Sequence, residues 1–445
     1  MSWQTPCMIG IITICILAIS LSTKTVLLQS FPSLQPTPNS QRVHSSKSST
    51  SGLLFKGNVV RKFPPHLARF TSLTQNELQR TTNYKESIFN NYTKPKACRN
   101  WVVVTTIFLP SDSVRKVAEL DGWCLVVVAD KKSSLSYDLD NIIYLTVQDQ
   151  QELTRHYNFI GQIPWNHFGR KNVGYFYAML HNAEYIFDLD DDNVLKQKDL
   201  SLPKSVMRIL ATNCSAFNIY LYMNASTYPS WPRGFPLGNI KQKCTCSLER
   251  RDVNREETVI FQSLADEDPD VDAIYRMTLP LPFYFKADIG LEIPPGVLVP
   301  YNAQASLHFR KSLWGTLLPV TVHGRVSDIW RSYFTQRIVW EIGGRIAFIP
   351  SLVNQFRNPH NYIQDFDAEM DLYLKTDALI KFLLSWKPQT TTLPGLIEEL
   401  WIAVYERDYI DKEDVELVQT WLDALIRIGY DFSVIKPYSS SAKTK

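Results

Sequence analysis

Apolar runs alternate with amphipathic stretches through the first half of the chain. Residues 101–109 (WVVVTTIFL), 123–129 (WCLVVVA) and 141–147 are apolar almost throughout and rich in β-branched residues, which predicts buried strands. Between them, residues 111–120 and 149–157 have the spacing of helices, the first with Ser111 or Asp112 as its N-cap. A third helix is predicted from Gly169 and the basic pair Arg170-Lys171, with Val173, Phe176, Tyr177 and Leu180 on one face. Tyr185-Ile186-Phe187 then starts a short buried strand that ends in Asp188, Asp190, Asp191 and Asp192. Strands that are apolar on both faces and alternate with helices imply a parallel sheet covered on both sides. Ligands of such sheets bind beyond the carboxyl ends of the strands, so Thr105, Thr106, Asp130 and Asp190 are predicted to share that edge. Neither a dinucleotide fingerprint nor a P-loop is present.

Beyond Asn193 the pattern loosens. Residues 231–236 (WPRGFP) form a rigid turn that presents Arg233, and residues 268–273 (DPDVDA) form a second acidic turn. A helix with Asp328 near its start is predicted through residue 342, stopped by Gly343-Gly344, with a strand at 345–349 and a polar loop at 357–362. From residue 368 the chain reads as helical. Asp411 has the position of an N-cap, and Val415, Val418, Trp421, Leu422 and Leu425 make one apolar stripe. That stripe is expected to pack on the core or close over it as a lid; a partner-binding helix is the alternative.

Composition adds most at the amino terminus. The 445 residues are 45% hydrophobic, ample for a core, and the net charge of +3 with no basic block gives no reason to expect a nucleic-acid partner. Residues 7–21 are uncharged and apolar, slightly short for a bilayer span, and fit either a signal anchor or a cleaved signal peptide. Residues 29–96 are rich in Ser, Thr, Pro, Lys and Asn, the composition of a flexible stem, with 63–73 able to dock on the domain. The stem favours the anchor, and the expected organisation is a cytoplasmic tail at 1–6, an anchor at 7–23, a stem at 24–97, a catalytic-type domain at 98–365 and a helical region at 366–445. Asn91, Asn213 and Asn224 head glycosylation sequons, which are usable only in a lumen. Outside the apolar run Cys98, Cys124, Cys214, Cys244 and Cys246 remain, so at least one lumenal thiol is unpaired within the chain; Cys124, inside a strand, is expected to be core.

Four carboxylates within five residues repel one another and raise each other's pKa. A divalent cation relieves that, and hard oxygen ligands suit Mg²⁺ or Mn²⁺ rather than zinc. The competing explanation is a solvated acidic loop.

The segments FGRKNVGYFYAMLHNAEYIFDLDDDN (168–193), SWPRGFPL (230–237), QSLADEDPDVDAIYRM (262–277), LLPVTVHGRVSDIWRSYFTQRIVWEIGG (317–344) and RNPHNYIQDFDAEMDLY (357–373) resemble the STELLO family of Golgi glycosyltransferase-like proteins. The likeness runs over about residues 98–390. A more distant likeness is to the UDP-arabinopyranose mutases, the reversibly glycosylated polypeptides. The resemblance implies an α/β fold with a GT-A-like nucleotide-sugar-binding domain and a mostly parallel central sheet. It also implies transfer of a sugar from a UDP-sugar to a glycan acceptor, on a single-pass type II Golgi membrane protein with its domain in the lumen. Asp190 and Asp192 would hold Mn²⁺ or Mg²⁺. Thr105, Asp130, Arg170, Lys171, Asn172, Asp191 and Arg233 would contact the nucleotide sugar, the basic pair taking the phosphates. Asp328 would be the catalytic base or orient the sugar, against the alternative of a helix N-cap. His323 and His360 are lesser candidates for metal or substrate contact. Two other functions stay open: a non-catalytic partner that helps assemble other Golgi glycosyltransferases, and a UDP-sugar mutase.

Overall fold

The computed structural model describes residues 61–82, 98–357, 360–436 and 438. The expected tail and anchor, most of the stem and the Asn91 sequon lie outside the described residues. Among the described residues no helix is long and apolar enough to cross a membrane.

Among the described residues eleven strands form one sheet: β1 (Asn100–Thr105), β2 (Trp123–Val128), β3 (Ile142–Leu145), β4 (Tyr185–Asp188), β5 (Asn193–Leu195), β6 (Ser205–Thr212), β7 (Cys246–Asp252), β8 (Thr258–Glu267), β9 (Leu291–Ile293), β10 (Ser306–Phe309) and β11 (Arg345–Gln355). Their order is β3-β2-β1-β4-β10-β8-β11-β9-β6-β7, with β5 also pairing β11. The run β3-β2-β1-β4 is parallel, as is β8 with β11, while β10 lies antiparallel between β4 and β8. The result is a mixed α/β protein with a large central sheet that is parallel through β3-β2-β1-β4 and mixed beyond it, which fits a GT-A-like fold.

Alternation along β1 shows how the strands are buried on both faces. Trp101 and Val103 join the larger core, while Val102 and Val104 join a second core with Val114 and Val117 of the Asp112–Ala118 helix. Ser111 caps that helix, its hydroxyl accepting from the Val114 amide. On the larger face the Lys171–Leu180 helix lies directly on β1 and β2. Gly174 makes this possible: a Cβ there would come 2.6 Å from Val103 and 2.7 Å from Val128.

Several predicted elements end early or change role. The run 101–109 is a strand only to Thr105; Ile107, Phe108 and Leu109 leave the sheet and are 42, 55 and 69% exposed. The helix expected near Asp328 begins earlier, at Gly324, capped by the His323 ring, so Asp328 lies inside the helix and the N-cap alternative fails. The strand expected at 345–349 extends to Gln355. Asp411 sits at the N-cap of the Lys412–Arg427 helix but its side chain caps nothing, whereas Asp414 turns to the Val320 and Thr321 amides.

The described residues all fall in one compact unit. The stripe Val415, Val418, Trp421, Leu422 and Leu425 is fully inside it, with Trp421 edge-to-face on Phe159 at 5.2 Å. The expected stem is in part a packed strap: Phe63, Phe70 and Leu78 are buried, and buried Glu398 accepts from the amides of Arg69, Phe70 and Thr71 at 2.7, 2.6 and 2.9 Å. Its low apolar content was offset by these backbone bonds. Two disulfides join Cys98 to Cys124 and Cys214 to Cys244, which corrects the expectation that Cys124 is a plain core residue; Cys246 is free and exposed. Asn213 and Asn224 are exposed.

Candidate functional site

The aspartates leave the sheet at the carboxyl end of β4, between β1 and β10. Asp188 is the last residue of the strand and is fully buried. The Tyr175 hydroxyl donates to it at 2.6 Å, and Lys171 Nζ lies 2.6 Å from its Oδ1. Lys171 also donates to Asp190 and to the Ala303 carbonyl, both at 2.8 Å. Burial pulls the Lys171 ammonium down, but the two carboxylates outweigh it and hold the group above its ordinary value. Lys171 therefore fixes the direction of Asp190 from beneath. Arg331, also buried, faces Asp188 at 3.5 Å and completes this layer.

Above the layer the carboxylates diverge. Asp191 accepts from the Thr106 hydroxyl, and its carbonyl accepts from Ser111 at 2.7 Å, so it ties the turn to the loop after β1. Burial raises its pKa. Asp190 is partly exposed. Asp192 is approached by the Gln355 amide at 3.3 Å. Burial, and then repulsion from Asp190, push its pKa up to about 6. Asp190 is thus paired with Lys171 from one side only, and Asp192 is in no ion pair among the described residues, a donor set a hard divalent cation takes when other oxygens complete its shell. Among the described residues no group of three or more His, Cys, Asp and Glu is placed to hold a metal ion.

Beside Asp191 opens a cleft of ≈ 280 Å³ lined by Thr105, Thr106, Phe108, Asp130, His167 and Asp191, among others. The expectation that Thr105, Thr106 and Asp130 share one edge with the aspartates is met in position. Asp130 shapes the cleft wall: its carboxylate accepts from the Asn166 amide at 2.7 Å and the His167 amide at 3.1 Å.

Other predicted contacts are directed elsewhere. Arg170 points away from the cleft; its guanidinium is buried, bonded to Gln150 and to the Ile160 and Ile163 carbonyls at 3.1 and 3.2 Å, and stacked 3.9 Å over Trp165. Burial lowers it to about 10, so it stays charged but is consumed by the fold. Asn172 clamps the Leu318 backbone from both sides, at 2.8 and 2.9 Å. Lys171 serves Asp188 and Asp190 rather than open space. Arg233 is buried and bonds Asp270 and Asp328 through two pairs of contacts at 2.8 to 3.0 Å. Asp328, the expected base, is therefore occupied by Arg233 and by the Ala303 amide at 3.2 Å. Neither it nor Arg233 is free for substrate. His323 is a helix cap, and His360 lies 3.6 Å from Asp365.

The sequence reading missed Gln355, Arg357 and Asp270. Arg357 reaches Asp270 and Gln355, both at 3.3 Å, and its charge is felt at Asp192. These residues form a chain from Asp192 through Gln355, Arg357 and Asp270 to Arg233. The acidic turn and the polar loop were visible in the sequence, but nothing local indicated that they meet.

A carboxylate-tipped strand beside a cleft, at the carboxyl edge of the parallel strands, fits an α/β protein of GT-A-like fold. Comparison with known proteins points more narrowly. The model of the STELLO glycosyltransferases matches residues 325–443. The chain is 28% identical over 373 residues to "Probable glycosyltransferase STELLO2" of Arabidopsis thaliana, covering 77% of this chain and 47% of that protein. It is likewise 28% identical to "Probable glycosyltransferase STELLO1" of the same organism, covering 78% and 46%. The resemblance to the STELLO family read from the motifs is thereby shown, and the chain spans about half the length of these relatives.

Proposed function

We propose that this chain is a metal-dependent glycosyltransferase that takes a UDP-sugar as donor and a glycan as acceptor, as a single-pass type II protein of the Golgi membrane. The observation that carries the reading is Asp192, in no ion pair among the described residues and repelled by its partly exposed neighbour Asp190, next to a cleft of ≈ 280 Å³. Asp190 and Asp192 would hold Mn²⁺ or Mg²⁺, whose charge would stabilise the departing diphosphate. Lys171 orients Asp190 from below, Thr106 and Ser111 anchor Asp191, and Asp130 holds the 166–167 segment against the cleft. With Arg170 buried elsewhere, Arg357 is the cation on this side of the molecule nearest in effect to Asp192. The two disulfides and the exposed sequons at Asn213 and Asn224 support a lumenal compartment.

Calorimetry of UDP binding with and without Mn²⁺ tests this. Metal-dependent binding by the wild type and its loss in Asp190→Ala are expected. Equal behaviour of the two proteins would overturn the enzyme reading and favour an assembly partner. Turnover of a free UDP-sugar into its isomer without acceptor would favour a mutase.

A further inference from the structure

Glu267 ends β8 one residue before the second acidic turn, and its surroundings differ from those of its neighbours. Asp266 pairs with Lys196 and Asp268 with Arg276. Glu267 is in no ion pair among the described residues; its carboxylate accepts from the Tyr284 hydroxyl at 2.9 Å. Its φ of 75° is in the left-handed region, uncommon for a residue with a side chain. The sheet places two exposed aromatics around it. On one side Gln355 of β11 stands opposite Glu267, and the next residue, Phe356, is 57% exposed. On the other side Phe283 bridges Glu267, and the next residue, Tyr284, is 41% exposed. This group adjoins the aspartate turn, because the Phe356 amide donates to the Asp192 carbonyl at 3.3 Å.

We propose that Glu267, Tyr284 and Phe356 form the acceptor subsite and receive a neutral saccharide. The inference rests on the donor reading of the adjoining cleft. Aromatic faces take the apolar side of a pyranose ring, and an acceptor-only carboxylate takes its hydroxyls. With no cation paired to Glu267, the rim disfavours a phosphorylated or acidic ligand. The backbone bond from Phe356 to Asp192 sets this group next to the aspartate turn, where proximity of acceptor to donor accelerates transfer.

The test separates this from the donor reading. In the full chain, Phe356→Ala should raise the acceptor KM roughly tenfold. UDP affinity in Mn²⁺ and the rate of donor hydrolysis should change by less than about twofold. Glu267→Gln should weaken the acceptor in the same way, and Tyr284→Phe, which removes only a hydroxyl, guards against misfolding. Saturation-transfer NMR with methyl glucoside, galactoside, xyloside and arabinoside and their disaccharides gives a readout without turnover. At least one should receive saturation from the wild type and lose it in Phe356→Ala. Saccharide binding by a protein that fails to bind UDP would support the subsite and sink the donor reading. A wild type that binds UDP yet shows no saccharide signal, or variants with unchanged acceptor KM, would overturn the subsite.

Discussion

Two acidic turns leave this sheet, and they are solved in opposite ways. After β4, Lys171 pairs with Asp188 and Asp190 and Arg331 faces Asp188 at longer range, while Asp191 and Asp192 are in no ion pair among the described residues. After β8, Asp268 and Asp270 are matched by Arg276, Arg233 and Arg357. The electrostatic outcomes diverge. Burial would raise Asp270, but Arg233 and Arg357 hold it well below the ordinary carboxylate range. Asp192, less deeply buried but beside Asp190, is pushed up to about 6. A run of aspartates is therefore no metal site by itself. The deficit of counter-charge distinguishes the first turn from the second.

The largest effect should come from the matched turn. Arg233→Met strands Asp270 and Asp328 inside the protein and should cost about 3–5 kcal/mol, read as a lower urea midpoint. A loss below about 1 kcal/mol would mean that water already compensates those carboxylates. Arg170→Met should cost about 2–4 kcal/mol by leaving Gln150 Oε1 and two carbonyls without their guanidinium donor, while UDP affinity of the folded protein stays within about threefold. A large loss of UDP affinity at unchanged stability would instead return Arg170 to the phosphates.

The unmatched turn should respond with the other sign. Asp192→Asn, in chelator, should stabilise the protein at pH 7–8 by about 1–3 kcal/mol, because it removes a carboxylate whose folded pKa is raised. The raised value means that the native state favours the protonated group. Its contribution is complete below about pH 4 and lost as pH rises through about 6, so the gain from Asn should vanish in acid. Thermal melts across pH 4–8 check this; a destabilised variant at pH 8 would show Asp192 to be matched after all. The smallest effect belongs to Asp268→Asn. Its partly exposed pairing with Arg276 and Arg357 should be worth about 1 kcal/mol, again from the urea midpoint.

The alternating pattern made much of the amino-terminal half of the sheet legible. Buried β1, β2 and β4, the Lys171–Leu180 helix and the edge shared by Thr105, Asp130 and the aspartates all follow from local periodicity. Side-chain direction did not. Arg170 and Lys171 are adjacent, and a one-residue step, about 100° around a helix, sends one into the Gln150 pocket and the other under Asp190. Asp328 and Arg233 were each visible as chemistry-bearing residues, but their separation of 95 positions hid that they neutralise each other.

By itself, then, the sequence determined which segments are strands, which edge collects the carboxylates and which family the motifs resemble, because hydrophobic period and strand direction are local properties. Only the tertiary structure decided which charges remain available. Pairing depends on where distant elements meet, and Arg233 with Asp270, Arg357 beside Asp192 and Glu267 without a cation are all outcomes of that meeting.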